Sequence, residues 1–275
     1  MRKKSVISLI SYDASYLAES IKTYYNYVDE IILGLDKDRI SWSRNKFSFD
    51  EDALWKELSA IDGDGKIEIV EGNFHRSGVP IENDNHERNF LKEHCSNDWI
   101  FSFDADEMLV NADDFFNKYC PLVENYKADL LFYWILPYKR LNDEEVLVIS
   151  KADRKTLPNN EVQGFVTDKE NTFTYCRWTN NQNRLQSPLV ILHWSFCRPK
   201  KELDLKVNNF GHSIESKKDP FYDIQASIDE TNWQQLQNFK TSNMGPQWES
   251  LIKLKESNLN DYIKQQADQL YRNTQ

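Results

Sequence analysis

Between Asn97 and Asp114 the chain carries Asp98, Asp104, Asp106, Glu107, Asp113 and Asp114, and no lysine or arginine. Asp104-Ala105-Asp106-Glu107 follows directly on the apolar run Trp99–Phe103. Carboxylates two positions apart in a turn converge on one hard cation, and Mg2+ or Mn2+ held there would bridge to phosphate oxygens. The plain alternative is a solvated, helix-capping acidic loop. An Asp-x-Asp is common by chance, and its place behind a buried run is what favours the site. His193 closes a second apolar run, Pro188–Leu192, and precedes Trp194, Ser195, Phe196 and Arg198. An imidazole there serves either a metal or a backbone carbonyl. The stretch from 198 to 218 mixes Arg198, Lys200, Lys201, Lys206, Lys217 and Lys218 with Glu202, Asp204 and Glu215, and Asp219 follows it. It is either a basic patch for an anionic ligand or a solvated helix face.

Over all 275 residues, 34 Lys+Arg stand against 44 Asp+Glu, a net charge of −10. Such a chain repels a polyanion, so no nucleic acid is expected as partner. Aromatic residues make up 13% of the sequence, enough to build a core and to exclude a disordered chain. No apolar run reaches the roughly 18 residues of a membrane span. The basic start is followed by only Val6–Ile10 before Ser11, Tyr12 and Asp13, which reads as a strand rather than an export signal. A cytoplasmic location is therefore expected, with reduced cysteines at 95, 120, 176 and 197.

These residues need elements to hold them. Lys4–Ile10, Glu30–Leu35, Lys66–Val70, Trp99–Phe103 and Leu130–Leu136 read as strands. Helical patterns lie between them at Ala14–Val28, with Asp13 as cap, at Ser48–Ile61 and at Glu82–Cys95. Such alternation predicts an α/β fold with a mostly parallel central sheet flanked by helices. Ligands bind beyond the carboxyl ends of such strands, which selects Ser11–Asp13, Asp36–Asp38, Gly72–His75 and Asp104–Glu107. Farther on, Pro158–Thr174 reads as a loop or weak hairpin, Ser187–Ser195 as a strand, and the tail after Leu259 as a solvated helix.

In order along the chain, Ser11-Tyr12-Asp13, Ile31–Asp36, His86-Glu87-Arg88-Asn89 and Trp99–Glu107 resemble a GT-A glycosyltransferase of the family 2 type, over roughly residues 4–140. The resemblance implies a Rossmann-like GT-A fold and transfer of a sugar from a nucleotide-diphosphate donor, with a UDP-sugar favoured and Mn2+ or Mg2+ as cofactor. It assigns Tyr12 to the nucleotide base, Asp36 to the uracil or nucleoside, and Arg88 to the diphosphate or the metal loop. Asp104 and Asp106 would hold ribose and metal, with Asp106 the more direct ligand and His193 a further one. Glu107 matches a frequent neighbour of that motif. The turn Asp36-Lys37-Asp38-Arg39 departs from the family's Gly-Ser-x-Asp, which leaves the base open.

An inverting transfer also needs a carboxylate base for the acceptor hydroxyl, and Glu161 and Asp168 are the candidates. The resemblance implies a glycan or lipid-linked acceptor, consistent with peripheral association at the inner face of a membrane. Residues 1–198 would form the catalytic domain and 199–275 a helical C-terminal extension. One rival is a nucleotidyltransferase of similar sheet topology, which would favour a Gly-rich, basic loop where the chain has Ser11–Ser15. Another is a non-catalytic metal- or carbohydrate-binding protein.

Overall fold

The run KSVISLI alternates branched aliphatics with small serines, and it forms β1 (Lys4–Ile10), buried along its whole length. The structure is a computed structural model that describes residues 2–150, 162–216, 221–240, 247–248 and 250–265. After β1 come β2 (Glu30–Asp36), β3 (Ile67–Gly72), β4 (Trp99–Ser102), β5 (Glu107–Leu109) and β6 (Asp129–Ile135). Then follow β7 (Pro137–Arg140), β8 (Glu145–Ser150), β9 (Val162–Asp168), β10 (Phe173–Tyr175), β11 (Trp178–Thr179) and β12 (Arg184–His193). Short β13 (Phe239–Lys240), β14 (Gln247–Trp248) and longer β15 (Ser250–Lys255) complete the strands.

Eight strands make the main sheet, in the order β3-β2-β1-β4-β9-β6-β12-β5. The pairs β3·β2, β2·β1, β1·β4 and β6·β12 are parallel, and those made by β9 and β5 are antiparallel. The fold is thus mixed α/β around a mostly parallel sheet, as the alternation of elements predicts. The crossovers in its first half carry α1 (Leu17–Lys22), α2 (Glu51–Ile61) and α3 (Pro80–His94). Asp50 caps α2 by accepting from the Ala53 amide, and Leu54 and Leu58 face the core. Pro80 starts α3, where its missing N–H costs nothing. A helical stretch of α4 (Ala112–Asp114), a π turn (Phe115–Tyr119) and α5 (Cys120–Val123) packs Phe115 and Phe116 into the same core. Beyond β12 lie α6 (Lys200–Asn209), α7 (Ser213–Ser216) and α8 (Phe221–Ser227).

Three expectations are corrected. The segment Pro158–Thr174 is not a loop from 162 onward: β9 lies in the middle of the sheet, between β4 and β6. Its polar residues misled the reading because their partners are remote. Thr167, for instance, donates to Asp129 at the start of β6. The helix over 259–265 is not simply solvated either, because Leu259 and Ile263 are buried against β6, β8 and β12. Finally, Asp13 makes no side-chain cap; the segment behind it opens as a 3-10 turn, Ala14–Tyr16. A second sheet, β15-β8-β7, was not foreseen at all.

Candidate active site at the carboxyl edge of the sheet

The helix α3 has a buried stripe, and that stripe is polar. Asn83, Asp84, Glu87 and Arg88 are all 5% exposed or less. Buried charge is tolerated only when paired, and Arg88 is fully paired. Its Nε donates to Asp84 Oδ1 (2.6 Å), Nη1 to Ser102 Oγ at the end of β4 (2.7 Å) and Nη2 to Asp104 Oδ1 (2.8 Å). The predicted arginine and the first predicted aspartate are therefore in direct contact.

Asp104–Glu107 is a tight turn between β4 and β5. The Asp104 amide donates to Glu107 Oε2 (2.9 Å), and the Glu107 amide to the Asp104 carbonyl (3.2 Å). Glu107 Oε1 accepts from Arg177 Nη1 (2.8 Å), and Arg177 also ion-pairs with Asp104 Oδ2. Arg177 stands between β10 and β11, with its guanidinium 4.3 Å from the centre of the Phe165 ring. Burial alone would raise the Asp104 carboxyl, but Arg177 and Arg88 outweigh it and hold it below the usual range. Both Asp104 oxygens are thus committed to arginines.

Asp106 is 1% exposed. Its Oδ2 accepts from Arg198 Nη2 and from Lys206 Nζ (2.7 Å), so against the penalty of burial its carboxyl is held well below the ordinary range. The pairing of β5 with β12 sets His193 opposite Glu107, and the Trp194 amide donates to the Asp106 carbonyl (2.9 Å). His193 Nε2 therefore lies 3.4 Å from Asp106 Oδ1, with its ring 4.6 Å from that of Trp134. That oxygen and Nε2 face each other as an ion pair without hydrogen-bond geometry, and among the described residues neither they nor Nδ1 has a hydrogen-bond partner, although all three are buried. Buried polar atoms without partners are rare, and a carboxylate oxygen facing an imidazole nitrogen suits two neighbouring ligands of one divalent cation. The donor set Asp106 and His193 fits a metal; Asp104, expected as a further ligand, is taken up by Arg88 and Arg177.

The remaining predicted residues are distributed as follows. Tyr12 lies close enough to Asp13, Arg198, Asp106 and Asp104 to feel them. Burial first, and the Asp13 charge next, push its hydroxyl well above its usual range. Asp13 Oδ2 lies 3.3 Å from Arg198 Nη2, and burial raises its carboxyl against that arginine's pull. Asp36 is 4% exposed and accepts from the amides of Phe74 (2.9 Å), Asp38 (3.0 Å) and Ile40 (3.1 Å) and faces His75 Nδ1 (3.0 Å). These partners outweigh the penalty of burial and lower its pKa. Its carboxylate ties two loops together instead of standing free. Among the described residues, Asp36, Asp38 and His75 form a group that could hold a metal ion, with ligand atoms within 4.8 Å of one another.

Asp168 is not at this edge. It pairs with Trp99, the first residue of β4, and forms ion pairs with Arg2 and Lys127. Asp104 lies five residues on from Trp99, beyond the other end of β4, about 16 Å of extended chain. That distance removes Asp168 as a base. Glu161 lies outside the described residues.

Sequence reasoning missed Arg177, Asp84 and the engagement of His75. It noted Arg198 and Lys206 only as part of a basic stretch. Nothing local marks Arg177, which reaches the acids through a hairpin whose partners are set by β9.

No family model matches the chain, and no curated protein does. Among solved structures it is similar to the mannosyltransferase PcManGT from Pyrobaculum calidifontis, in complex with GDP-Man and Mn2+. That structure is 15% identical, with a TM-score of 0.36 over 52% of this chain and 37% of the other. It is also similar to S. aureus TarS, 12% identical with a TM-score of 0.40 over 85% of this chain and 45% of the other. TarS 1-349 in complex with UDP-GlcNAc is 11% identical, with a TM-score of 0.34 over 61% of this chain and 45% of the other. The chain spans less than half the length of these proteins, and likeness at this level lends it no residue roles.

Proposed function

We propose that the chain is a glycosyltransferase that moves a sugar from a nucleotide-diphosphate donor to a glycan or lipid-linked acceptor, with inversion and with a divalent metal. One observation carries the reading. At the carboxyl edge of the parallel strands, the Asp104–Glu107 turn meets Arg88, His193, Arg198 and Lys206 in one network of ion pairs, with Tyr12 near enough to feel its charges. A leaving diphosphate gains negative charge as the glycosidic bond breaks, and fixed cations lower the energy of that change. Arg198 and Lys206 are the cations in place to do so. Asp106 and His193 would hold the metal, which when bound supplies further positive charge to the same oxygens. Tyr12 offers its ring to the base. An imidazole among the ligands makes Mn2+ a better match than Mg2+, which prefers an all-oxygen octahedron. A UDP-sugar is our first choice of donor. No helix among the described residues is long and apolar enough to cross a membrane.

The test is a thermal-shift panel of UDP, GDP, CMP and TDP, each with and without Mn2+. A ligand bound only by the folded state raises the melting temperature, by RT ln(1 + [L]/Kd) in free energy. A rise is expected for one nucleoside diphosphate with Mn2+. A flat panel would abandon the donor reading, and a rise with Mn2+ alone that no nucleotide produces or enlarges, with no nucleotide bound, would favour a metal-binding module instead.

A further inference from the structure

Lys206 belongs to a helix that is held on by polar contacts. Of the three buried side chains of α6, Leu203 is apolar while Lys206 and Asn209 are not. The helix is clasped from one side by the loop after β2. Ser41 Oγ donates to Asn209 Oδ1 (2.7 Å), Asn45 Nδ2 donates to the Asn208 carbonyl (2.9 Å), and Ser43 Oγ meets Ser213 Oγ of α7 (2.6 Å). From the other side Tyr16 donates to Glu202 (2.8 Å). Under this clasp Asp106 Oδ2 receives two cations at once, and Asp106 and Lys206 are 1% and 7% exposed. A divalent ion arriving at Asp106 Oδ1 would meet two positive charges already seated on the same carboxylate. A diphosphate changes this, because it offers Lys206 and Arg198 a richer set of anionic oxygens than one carboxylate.

We infer that Lys206 and Arg198 act as resident counter-ions of Asp106 that keep the divalent cation out until a nucleoside diphosphate draws them away, so that metal and donor bind interdependently. The inference rests on the donor-site reading and adds an order of binding to it. Polar contacts that water can replace make the movement of α6 affordable, since little apolar surface is exposed when it lifts.

The experiment titrates Mn2+ alone, then Mn2+ with saturating UDP or GDP, following free Mn2+ by its paramagnetic resonance signal. An Asp38→Ala background weakens the Asp36, Asp38 and His75 group as a competing site. In that background the otherwise unaltered chain is expected to bind Mn2+ at least about tenfold more tightly with nucleotide than without, tenfold being about 1.4 kcal/mol. Lys206→Met, which keeps the apolar stem, is expected to bind Mn2+ alone about tenfold more tightly and the nucleotide more weakly. A purely structural lysine would weaken both. The pair Ser43→Ala and Asn45→Ala loosens the clasp, leaves Lys206 in place, and is expected to raise affinity for Mn2+ alone as well. Equal Mn2+ affinity with and without a bound nucleotide, or a Lys206→Met chain that loses both ligands alike, overturns the inference while leaving the donor site standing. If no nucleotide binds at all, the donor reading falls and the inference falls with it.

Discussion

Glu87 departs from the chemistry of an ordinary glutamate. It is 5% exposed, its Oε2 accepts from the Trp42 indole (2.6 Å), and burial pushes its carboxyl up to about 8. An ordinary unfolded Glu releases its proton near 4.5. Between those two values the folded chain holds a proton that the unfolded chain has lost, so stability falls as pH rises through the interval. Glu87→Gln removes the titration and keeps an oxygen for Trp42. The variant is expected to gain about 2–4 kcal/mol over the parent at pH 8 and much less at pH 5. Urea unfolding at the two pH values checks it, and an equal effect at both would refute the assignment. Asp104 and Asp106 show the opposite sign. Their carboxyls are depressed by arginine and lysine partners, so their contribution holds above the ordinary carboxylate range and is lost only in strong acid. The sequence exposed these two acids because they follow a strongly apolar strand. It could not show which oxygens remain free, since that depends on cations brought from Arg177, Arg198 and Lys206.

Among the elements, the β10–β11 hairpin delivers a side chain through a close approach to a distant glycine. A Cβ at Gly164 on β9 would stand 3.0 Å from the Arg177 carbonyl oxygen, so the glycine is there to let the hairpin approach. Gly164→Ala is expected to cost about 1–3 kcal/mol through the forced shift. It should also loosen Arg177 from Asp104 and Glu107. Urea midpoints and the nucleotide-dependent thermal shift should fall together; a variant that keeps both would show that the approach tolerates a methyl. The strands β1 to β4 were legible within about two residues because each is an apolar run bounded by polar turns. The strand β9 was not, since Gln163, Gly164, Thr167 and Asp168 interrupt its pattern. Burial on a sheet requires a partner for each polar group, and here the partners come from remote segments, as when Thr167 donates to Asp129 of β6 and Asp168 pairs with Arg2 and Lys127.

For the whole molecule, a net charge of −10 says little about the site. The five buried or half-buried acids Asp13, Asp84, Asp104, Asp106 and Glu107 are interleaved with Arg88, Arg177, Arg198 and Lys206. The acidic excess therefore resides elsewhere on the surface, where it still disfavours polyanions. Periodicity revealed the class of fold because that depends on local patterns. The meeting of Asp106 with Lys206, 100 positions along the chain, is a tertiary fact.

The central place of β9 also bears on how the chain is made. Synthesis delivers β1 to β4 first, and β4 then presents an unpaired edge until residues 162–168 arrive to cover it. An open strand edge is a template for the edge of another copy. A fragment ending at residue 150 is accordingly expected to self-associate in sedimentation at concentrations where the full chain does not. A monodisperse fragment would mean that its nascent edge is protected in some other way. Placing the partner of β4 about 60 residues later leaves that edge open while β5 to β8 are made, and only β12 then completes the sheet beyond β6; this sets the interval during which the growing chain most needs to be kept from its neighbours.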